Sequence, residues 1–347
     1  MKPYLKSIKY RATVVLPYLL KRHLTNQILT GKFLKPWHLF LVWLKHQLIK
    51  TPRVGIIETG NICNINCPTC PTPHHKIVRP KENMSLENFT RVIDKVSPYC
   101  HVVLLYNSNE PLLHPDIAEM IRYADQKNLY TMISTNATLL NEAMSDEILK
   151  SRLDEILLCL DGMSAAAYEP FRVGADFATV KRQIINFCLE KKNRRQRKPY
   201  VELQFIVTKL NQHEIPQVKQ LAKEIGVDRL RLKSLSLGEH AFTREEMSNL
   251  TERFFPDSQS VKVRYEKEAD GSLRVKRPAD WTCPIITRQF VILVDGSFSM
   301  CCRDFNGQYL YGNILQDDFL TIWQGPRARL LREKVLKNEL PFCEICS

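Results

Sequence analysis

The sequence predicts an α/β fold: a partial (β/α)6 TIM-like barrel followed by a small C-terminal unit of β-hairpin plus helix. Three observations carry this. From residue 53 onward, six strand-like runs alternate with amphipathic helical stretches, the pattern of right-handed βαβ units around a parallel sheet. Several runs are almost continuously apolar, as in Val102-Val103-Leu104-Leu105, which implies strands buried on both faces. Polar residues and residues with unusual backbone preferences follow the strands, where barrels of this kind gather their chemistry.

The chain has 347 residues, enough for one large domain and a small one. Eleven cysteines without a secretory pattern point to metal chemistry in a reducing, cytoplasmic compartment rather than to a disulfide framework. The net charge of +13 is unevenly placed: residues 1–57 hold eleven Lys or Arg and no Asp or Glu, leaving two net charges for the remaining 290 residues. The basic character therefore belongs to an N-terminal extension, and no nucleic-acid partner is expected.

Residues 1–50 form that extension. Its apolar runs, Val14–Leu20 and Trp37–Leu44, fall short of the roughly 20 residues of a membrane-spanning helix. No small-residue cleavage site follows them. Trp and aliphatic residues beside Lys and Arg, without acids, suit a helix lying in the interface of an anionic membrane; a helical lid on the catalytic domain is the alternative. The barrel is expected over 51–236. Its strands are predicted at Val54–Glu58, Val102–Tyr106, Tyr130–Ser134, Glu155–Leu160, Val201–Thr208 and Arg229–Lys233, with helices such as Ser85–Val96, Pro115–Gln126, Asp176–Lys191 and Gln212–Ile225. Residues 237–280, with Gly238, Pro256, Gly271 and Pro278, read as a linker carrying one short hairpin near Val261–Tyr265 and Leu273–Lys276. Residues 281–347 form the C-terminal unit.

Directly after the first strand, Gly60–Pro71 places Cys63, Cys67 and Cys70 in a C-x3-C-x2-C pattern. Three thiolates on one short loop can hold three irons of a cubic [4Fe–4S] cluster and leave the fourth open. A structural zinc site wants four ligands in paired C-x2-C units and fits poorly. The stretch closely resembles the motif of the radical SAM enzymes, whose fold is the same partial barrel. That resemblance implies S-adenosylmethionine on the open iron, bound through its amino and carboxylate groups.

Other strand ends resemble the same family. Tyr106–Pro115 is similar to its G-x-G-E-P segment, which binds the amino end of the cofactor. Asn107 and Asn109 replace the glycines, and Asn accepts unusual backbone conformations; Glu110 keeps the carboxylate that would pair with an ammonium. Ile133–Leu140 is similar to S/T-N-G-x-L-L, which would set Ser134 and Asn136 against the ribose, although these residue types also cap helices. Leu158-Cys159-Leu160-Asp161-Gly162 is similar to S-x-D-G, with Cys159 standing where a serine is common and reading as a small buried apolar residue rather than a cofactor contact. Phe171–Phe177 resembles R-x-G-x-D-F and would offer the fork of Arg172 to the cofactor carboxylate; a surface salt bridge is the alternative. The implied cofactor-binding set is Asn109, Glu110, Ser134, Asn136 and Arg172. His74 and His75 read as a solvated loop pair, and Lys209–Asn211 and Lys233-Ser234 as ordinary polar strand ends.

A second set comprises Cys283, Cys301, Cys302, Cys343 and Cys346, around a probable hairpin turn at Asp295-Gly296. Taking Cys301, the spacing is C-x17-C-x41-C-x2-C. Four thiolates complete the ligands of one cluster, and neighbours on a strand face opposite ways, so Cys301 and Cys302 would not both bind it. This resembles the SPASM or twitch region of radical SAM proteins in its one-cluster form, which implies an auxiliary [4Fe–4S] cluster on Cys283, Cys301, Cys343 and Cys346; a four-cysteine zinc site is the alternative. Cys100 and Cys188 read as packing residues.

The resemblance implies reductive cleavage of S-adenosylmethionine to a 5′-deoxyadenosyl radical and hydrogen abstraction from an unactivated carbon. The auxiliary cluster would accept or relay an electron. Oxidation or a related modification of a small molecule or saccharide is the expected outcome. A peptide- or protein-modifying maturase, or action on a lipid-linked substrate at a membrane, are the alternatives, and a non-catalytic metal-binding module is the more remote one. Expected partners are the substrate, an electron donor such as flavodoxin or ferredoxin, and an anionic membrane through the N-terminal extension.

Overall fold

The computed structural model describes residues 34–238, 240–257, 265–267, 273–277, 281–283, 285–343 and 346, with side chains from residue 40. The Val14–Leu20 run lies outside these residues. Helix α1 (Leu34–Ile49) leads into six parallel strands that lie side by side in chain order: β1 (Val54–Ile57), β2 (Val102–Leu104), β3 (Tyr130–Thr135), β4 (Glu155–Cys159), β5 (Tyr200–Val207) and β6 (Arg229–Ser234). Helices α2 (Leu86–Val96), α3 (Ile117–Gln126), α4 (Glu142–Lys150), α5 (Ala165–Tyr168), α6 (Phe177–Asn193) and α7 (Ile215–Glu224) form the crossovers. This is the partial TIM-like barrel expected from the alternation.

Local chemistry explains the helices. In α2 the Ser85 side chain accepts from Asn88 N, and Phe89, Val92, Ile93 and Val96 are buried, an apolar stripe at helical spacing. Between α7 and the C-terminal unit, the stretch read as irregular contains helix α8 (Arg244–Phe254), opened by a reciprocal capping box between Thr243 and Glu246. That T-x-x-E pattern was the overlooked signal. The linker hairpin is present as β7 (Tyr265–Lys267) and β8 (Leu273–Val275), with Tyr265 opposite Val275. Residues 261–264 of its expected first strand lie outside the described residues.

The sheet does not stop at six strands. Strand β9 (Gln289–Ile292) pairs in parallel with β1, setting Val54 opposite Gln289, and β10 (Ser297–Ser299) and β11 (Leu310–Asn313) continue it antiparallel. The close approach explains a glycine inside the apolar β1: a Cβ on Gly55 would stand 2.4 Å from the Phe290 ring. Helices α9 (Phe319–Trp323) and α10 (Pro326–Leu336) then close over the hairpin. Phe290, Phe298, Phe319 and Trp323 form a continuous aromatic cluster there.

Helix α1 docks at the N-terminal ends of the strands. Val42 is buried, Lys45 Nζ donates to Pro98 O at 3.2 Å and lies 4.9 Å from the Tyr99 ring centre, and Trp323 Nε1 donates to Lys50 O at 3.1 Å. The barrel mouth is at the other end, so α1 is not a lid over it. Its outer side exposes Phe40, Leu41, Trp43 and Leu48. Among the described residues no helix is long and apolar enough to cross a membrane.

Candidate active site

The cysteine loop leaves the C-terminal end of β1 and is clamped at its neck. Met84 N donates to Thr59 O at 2.9 Å, Asn61 Nδ2 to Pro80 O at 2.6 Å, and Glu82 N to Asn61 Oδ1 at 2.8 Å. A second brace comes from the turn after α5, where Asn66 N donates to Val173 O at 2.7 Å. Gly174, at φ +92°, adopts a backbone that side-chain-bearing residues rarely take, and lies against Ile65.

Positive and polar groups aim at the loop thiols. Arg172 Nη1 lies 3.5 Å from Cys67 Sγ, and Asn136 Nδ2 lies 3.9 Å from Cys63 Sγ. Burial pushes the Cys67 thiol up to about 11, against the pull of Arg172. A thiolate here therefore needs further positive charge, which a bound iron would supply. Beyond the thiols, Asn107 Nδ2 is buried without a partner in the segment assigned to the cofactor's amino end. An unsatisfied buried donor beside the loop fits a ligand still to be bound.

The strand-end residues meet around this loop. Glu110, fully buried, accepts from Leu112 N at 3.0 Å and Thr135 Oγ1 at 2.7 Å on one oxygen and from Asn136 N at 2.7 Å on the other. Its carboxylate thus ties the ends of β2 and β3 together and keeps acceptor capacity on Oε2. Asn109 Nδ2 donates to Thr59 Oγ1 at 2.9 Å. Asn136 holds Asn64 Oδ1 at 3.0 Å and accepts from Thr138 N and Oγ1, so it turns the strand and reaches the cysteine loop at once. Ser134 Oγ lies 3.6 Å from Cys159 Sγ, which also receives Gln204 Nε2 at 3.6 Å.

Arg172 differs from its expected use. Its Nε donates to Asp161 Oδ2 at 2.6 Å, and Nη2 pairs with the same oxygen. The fork is held by a fully buried carboxylate, and Nη1 points to Cys67. Asp161, which stands in the S-x-D-G stretch, is the partner that sequence reading left out; its other oxygen accepts from Ile206 N. Asn211 is a cap, donating to Asp161 O and Ile206 O. His74 and His75 are both exposed, His74 resting against Cys67 O and the Phe242 ring. Cys100, Cys159 and Cys188 are buried.

One face of β5 and β6 adds a charged group that the sequence did not single out. Val201, Leu203 and Phe205 face the helix-covered core. The opposite face presents Glu202 and Gln204, beside Arg229, Arg231 and Lys233 of β6. Arg231 Nε lies 2.8 Å and Arg229 Nη1 3.5 Å from Glu202. Lys233 is solvent-accessible at its surface and forms no ion pair among the described residues; desolvation lowers its pKa and Arg231 adds to the effect, while Cys159, Asp161 and Glu202 oppose it. This is a polar lumen beneath the cysteine loop with a spare cation near its mouth.

The second cysteine set also gathers. The electrostatic neighbours of Cys283 and Cys301 both include Cys346 and Cys302, and those of Cys343 are Cys283, Cys346 and Arg277. Cys301 packs with the core that holds Cys283 and Cys343, and Cys302 packs with Ile56, Val291 and Leu293. Both lie past the end of β10 rather than on a strand, and their thiols are hydrogen-bonded to each other, so the two do not face opposite ways as expected. Among the described residues no three Cys, His, Asp or Glu close on a single metal ion; a cubane spreads its ligands over wider corners. The turn after Cys302 touches the first cysteine loop: Arg79 Nε donates to Phe305 O at 2.7 Å, and Val78 N to Asn306 Oδ1 at 2.9 Å.

Comparison with known proteins agrees with this geometry. The model of the radical SAM superfamily matches residues 57–193, and that of SPASM, an iron–sulfur cluster-binding domain, matches residues 283–347. The chain is 23% identical over 314 residues to the tungsten-containing aldehyde ferredoxin oxidoreductase cofactor-modifying protein of Pyrococcus furiosus, covering 84% of this chain and 86% of that one. It is 23% identical over 182 residues to the PqqA peptide cyclase of Granulibacter bethesdensis, covering 52% of this chain and 47%, about half, of that relative. In fold it is similar to SuiB of Streptococcus suis bound to precursor peptide SuiA, with a TM-score of 0.59 at 13% identity, covering 83% of this chain and 68% of that one. The cofactors that follow are a [4Fe–4S] cluster with S-adenosylmethionine and an auxiliary iron–sulfur cluster. The chain is a radical SAM protein with a C-terminal SPASM domain.

Proposed function

We propose that this enzyme abstracts hydrogen from an unactivated carbon of a negatively charged small molecule or saccharide held in the barrel lumen. Cys63, Cys67 and Cys70 would hold the cluster that binds S-adenosylmethionine; Cys283, Cys301, Cys343 and Cys346 would hold the auxiliary cluster. When bound, the first cluster and its cofactor supply a 5′-deoxyadenosyl radical, and the auxiliary cluster supplies an electron acceptor or relay. The residues of the chain bind and orient. Asn107 offers its free donor to the cofactor, and Glu110 offers the open side of Oε2. Asn136 and Ser134 stand at the β3 end for the ribose, and Arg172, locked on Asp161, fixes the Cys67 thiolate. The observation that carries the substrate class is Lys233, an accessible cation with no ion pair among the described residues, on the face where Arg229 and Arg231 both pair with the single carboxylate of Glu202. An anionic substrate group would complete it.

A peptide substrate is a second reading, favoured by similarity to a peptide cyclase and to a protein whose structure was solved with its precursor peptide. Electron supply from flavodoxin or ferredoxin, and peripheral membrane contact through α1 with its exposed Phe40, Trp43 and Leu48, belong to the same proposal. The reconstituted protein, given dithionite and S-adenosylmethionine, is expected to form 5′-deoxyadenosine, and Cys67→Ala to abolish it. No cleavage by a protein with both clusters intact overturns the enzyme reading. Lys233→Met separates the substrate classes: it should raise KM strongly for an anionic small substrate, and an unchanged KM removes the anionic class.

A further inference from the structure

We propose that a cavity at the end of the molecule opposite the cysteine loop binds a phosphate-bearing anion. The cavity, about 660 Å³, is lined chiefly by His46, Lys50, Arg288, Arg329, Arg332 and Trp323. It lies where α1 ends and where β1 and β9 begin, so it is remote from the chemistry at the other ends of these strands. Its size is that of a ligand pocket.

The charge balance is the central observation. Four permanent cations line the cavity, and its lining contains no Asp or Glu. None of the four forms an ion pair among the described residues, and residues 1–57 contain no acid that could supply one. Arg53 stands behind Arg288, its backbone N donating to Arg288 O at 2.9 Å, and its own Nε is buried without a partner. Desolvation and the charge of Arg288 both lower the Arg53 pKa, and His46 is lowered by burial and then by Arg53, Lys50 and Arg288. Cations crowded and partly desolvated without counter-charge are costly to hold.

The arginines are also pre-positioned. Arg332 lies 4.2 Å from the Trp323 ring centre and 5.6 Å from that of Tyr311, and donates from Nη2 to Trp323 O at 2.7 Å, so its guanidinium is held in place beside the Tyr311 hydroxyl. Arg329 Nε donates to Gln324 O at 2.5 Å, which holds its stem. Trp323 and Gln324 in turn bond the carbonyls of Lys50 and Ile49, so both walls are fixed to each other. Planar guanidinium forks match phosphate oxygens in pairs. Four cations call for a group with two or more negative charges, such as a phosphate monoester or a diphosphate, more than for a single carboxylate. The phosphate could belong to a soluble ester or to an anionic lipid headgroup, since the helix that lines one wall exposes Phe40, Leu41, Trp43 and Leu48.

The test uses the full-length holoprotein in 0.1 M salt with two probes. Calorimetric titration with inorganic pyrophosphate is expected to give saturable one-site binding, weakened at least about tenfold in Arg288→Gln and further in Arg288→Gln/Arg329→Gln. Flotation on phosphatidylcholine vesicles with and without phosphatidic acid forms the second arm. Flotation that depends on phosphatidic acid, is lost in the double variant and is displaced by pyrophosphate assigns a lipid phosphate. Pyrophosphate binding with flotation unaffected by the double variant assigns a soluble ester. Absence of both in the wild type, or wild-type binding by the double variant, overturns the proposal. Arg288 and Arg329 are used because Arg332 supports the Trp323 packing. Unchanged circular dichroism and 5′-deoxyadenosine formation in the double variant separate this result from any failure of the enzyme reading.

Discussion

The Arg172–Asp161 pair is the sharpest point at which to test the site. Asp161 is fully buried, and its carboxylate is held by Arg172 Nε at 2.6 Å and by Ile206 N. Arg172→Met removes the cation that forms an ion pair with that carboxylate among the described residues. Breaking one side of a buried ion pair typically costs about 3–5 kcal/mol, because the remaining charge is stranded. Asp161→Asn in the same chain should return much of that, so a double-mutant cycle should show a coupling of about 2 kcal/mol or more. Urea unfolding of the cluster-free protein under anaerobic conditions measures both quantities. If Arg172 instead turns its fork to the cofactor carboxylate, Arg172→Met leaves stability almost unchanged and weakens S-adenosylmethionine binding by tenfold or more. A stability loss below about 1 kcal/mol with negligible coupling, the range of an exposed pair, refutes the locked arrangement.

Three further outcomes follow from named contacts. Cys301→Ala should lower iron content by about one cluster per chain after anaerobic reconstitution, whereas Cys302→Ala should not; equal loss in both would refute the choice of Cys301 over the adjacent Cys302 thiol as the ligand. Ala137 has φ +60°, a left-handed conformation that costs an alanine about 1–2 kcal/mol, partly offset by the backbone entropy that glycine loses; Ala137→Gly should therefore raise stability by up to about 1 kcal/mol in chemical denaturation. Desolvation lowers the Lys233 pKa below the ordinary 10.5, so this lysine should lose its proton as pH rises before the others do. NMR of 13C-dimethylated lysines should show one early-titrating signal that is absent in Lys233→Arg. Uniform titration of all lysines would remove the argument for a spare desolvated cation.

Much of the barrel was legible because apolar β runs and amphipathic stretches alternate without interruption from Val54 to Ser234. The cysteine loop was legible because its spacing is local. Pairing between distant segments was not. Nothing in Gln289–Ile292 marks it as a partner of β1, and Gly55 reveals the contact only once Phe290 is known to face it. Helix α8 was marked by Thr243 and Glu246, yet a polar composition hid it. The strand-end motifs located Glu110 and Arg172 but not their bonds, since a motif fixes residue types and the neighbouring strands fix partners. Asp161 stands inside the stretch similar to S-x-D-G, and only the fold places it against Arg172. The cations of β6 were passed over because a polar strand end is common; what distinguishes Lys233 is that Glu202 is already occupied by Arg229 and Arg231.

The two cysteine sets are joined by more than chain connectivity. Glu58, at the end of β1 and fully buried, accepts from Arg79 Nη2 at 3.0 and 2.8 Å and from Val294 N at 3.0 Å. Desolvation raises its pKa, and Arg79 and the Val294 N–H oppose the rise by favouring the charged form. The same Arg79 donates to Phe305 O, and Asn306 bonds both Val78 N and Lys76 O. One buried pair therefore fixes three segments: the strand that launches the first cysteine loop, the return limb of that loop, and the turn that follows Cys301 and Cys302. Shared membership of one sheet through β1 and β9 sets the frame, and Glu58 with Arg79 sets the loops within it. Electron transfer between two centres depends steeply on their separation. A sheet edge with a buried ion pair is a stiffer way to hold that separation than a flexible tether between two independent domains.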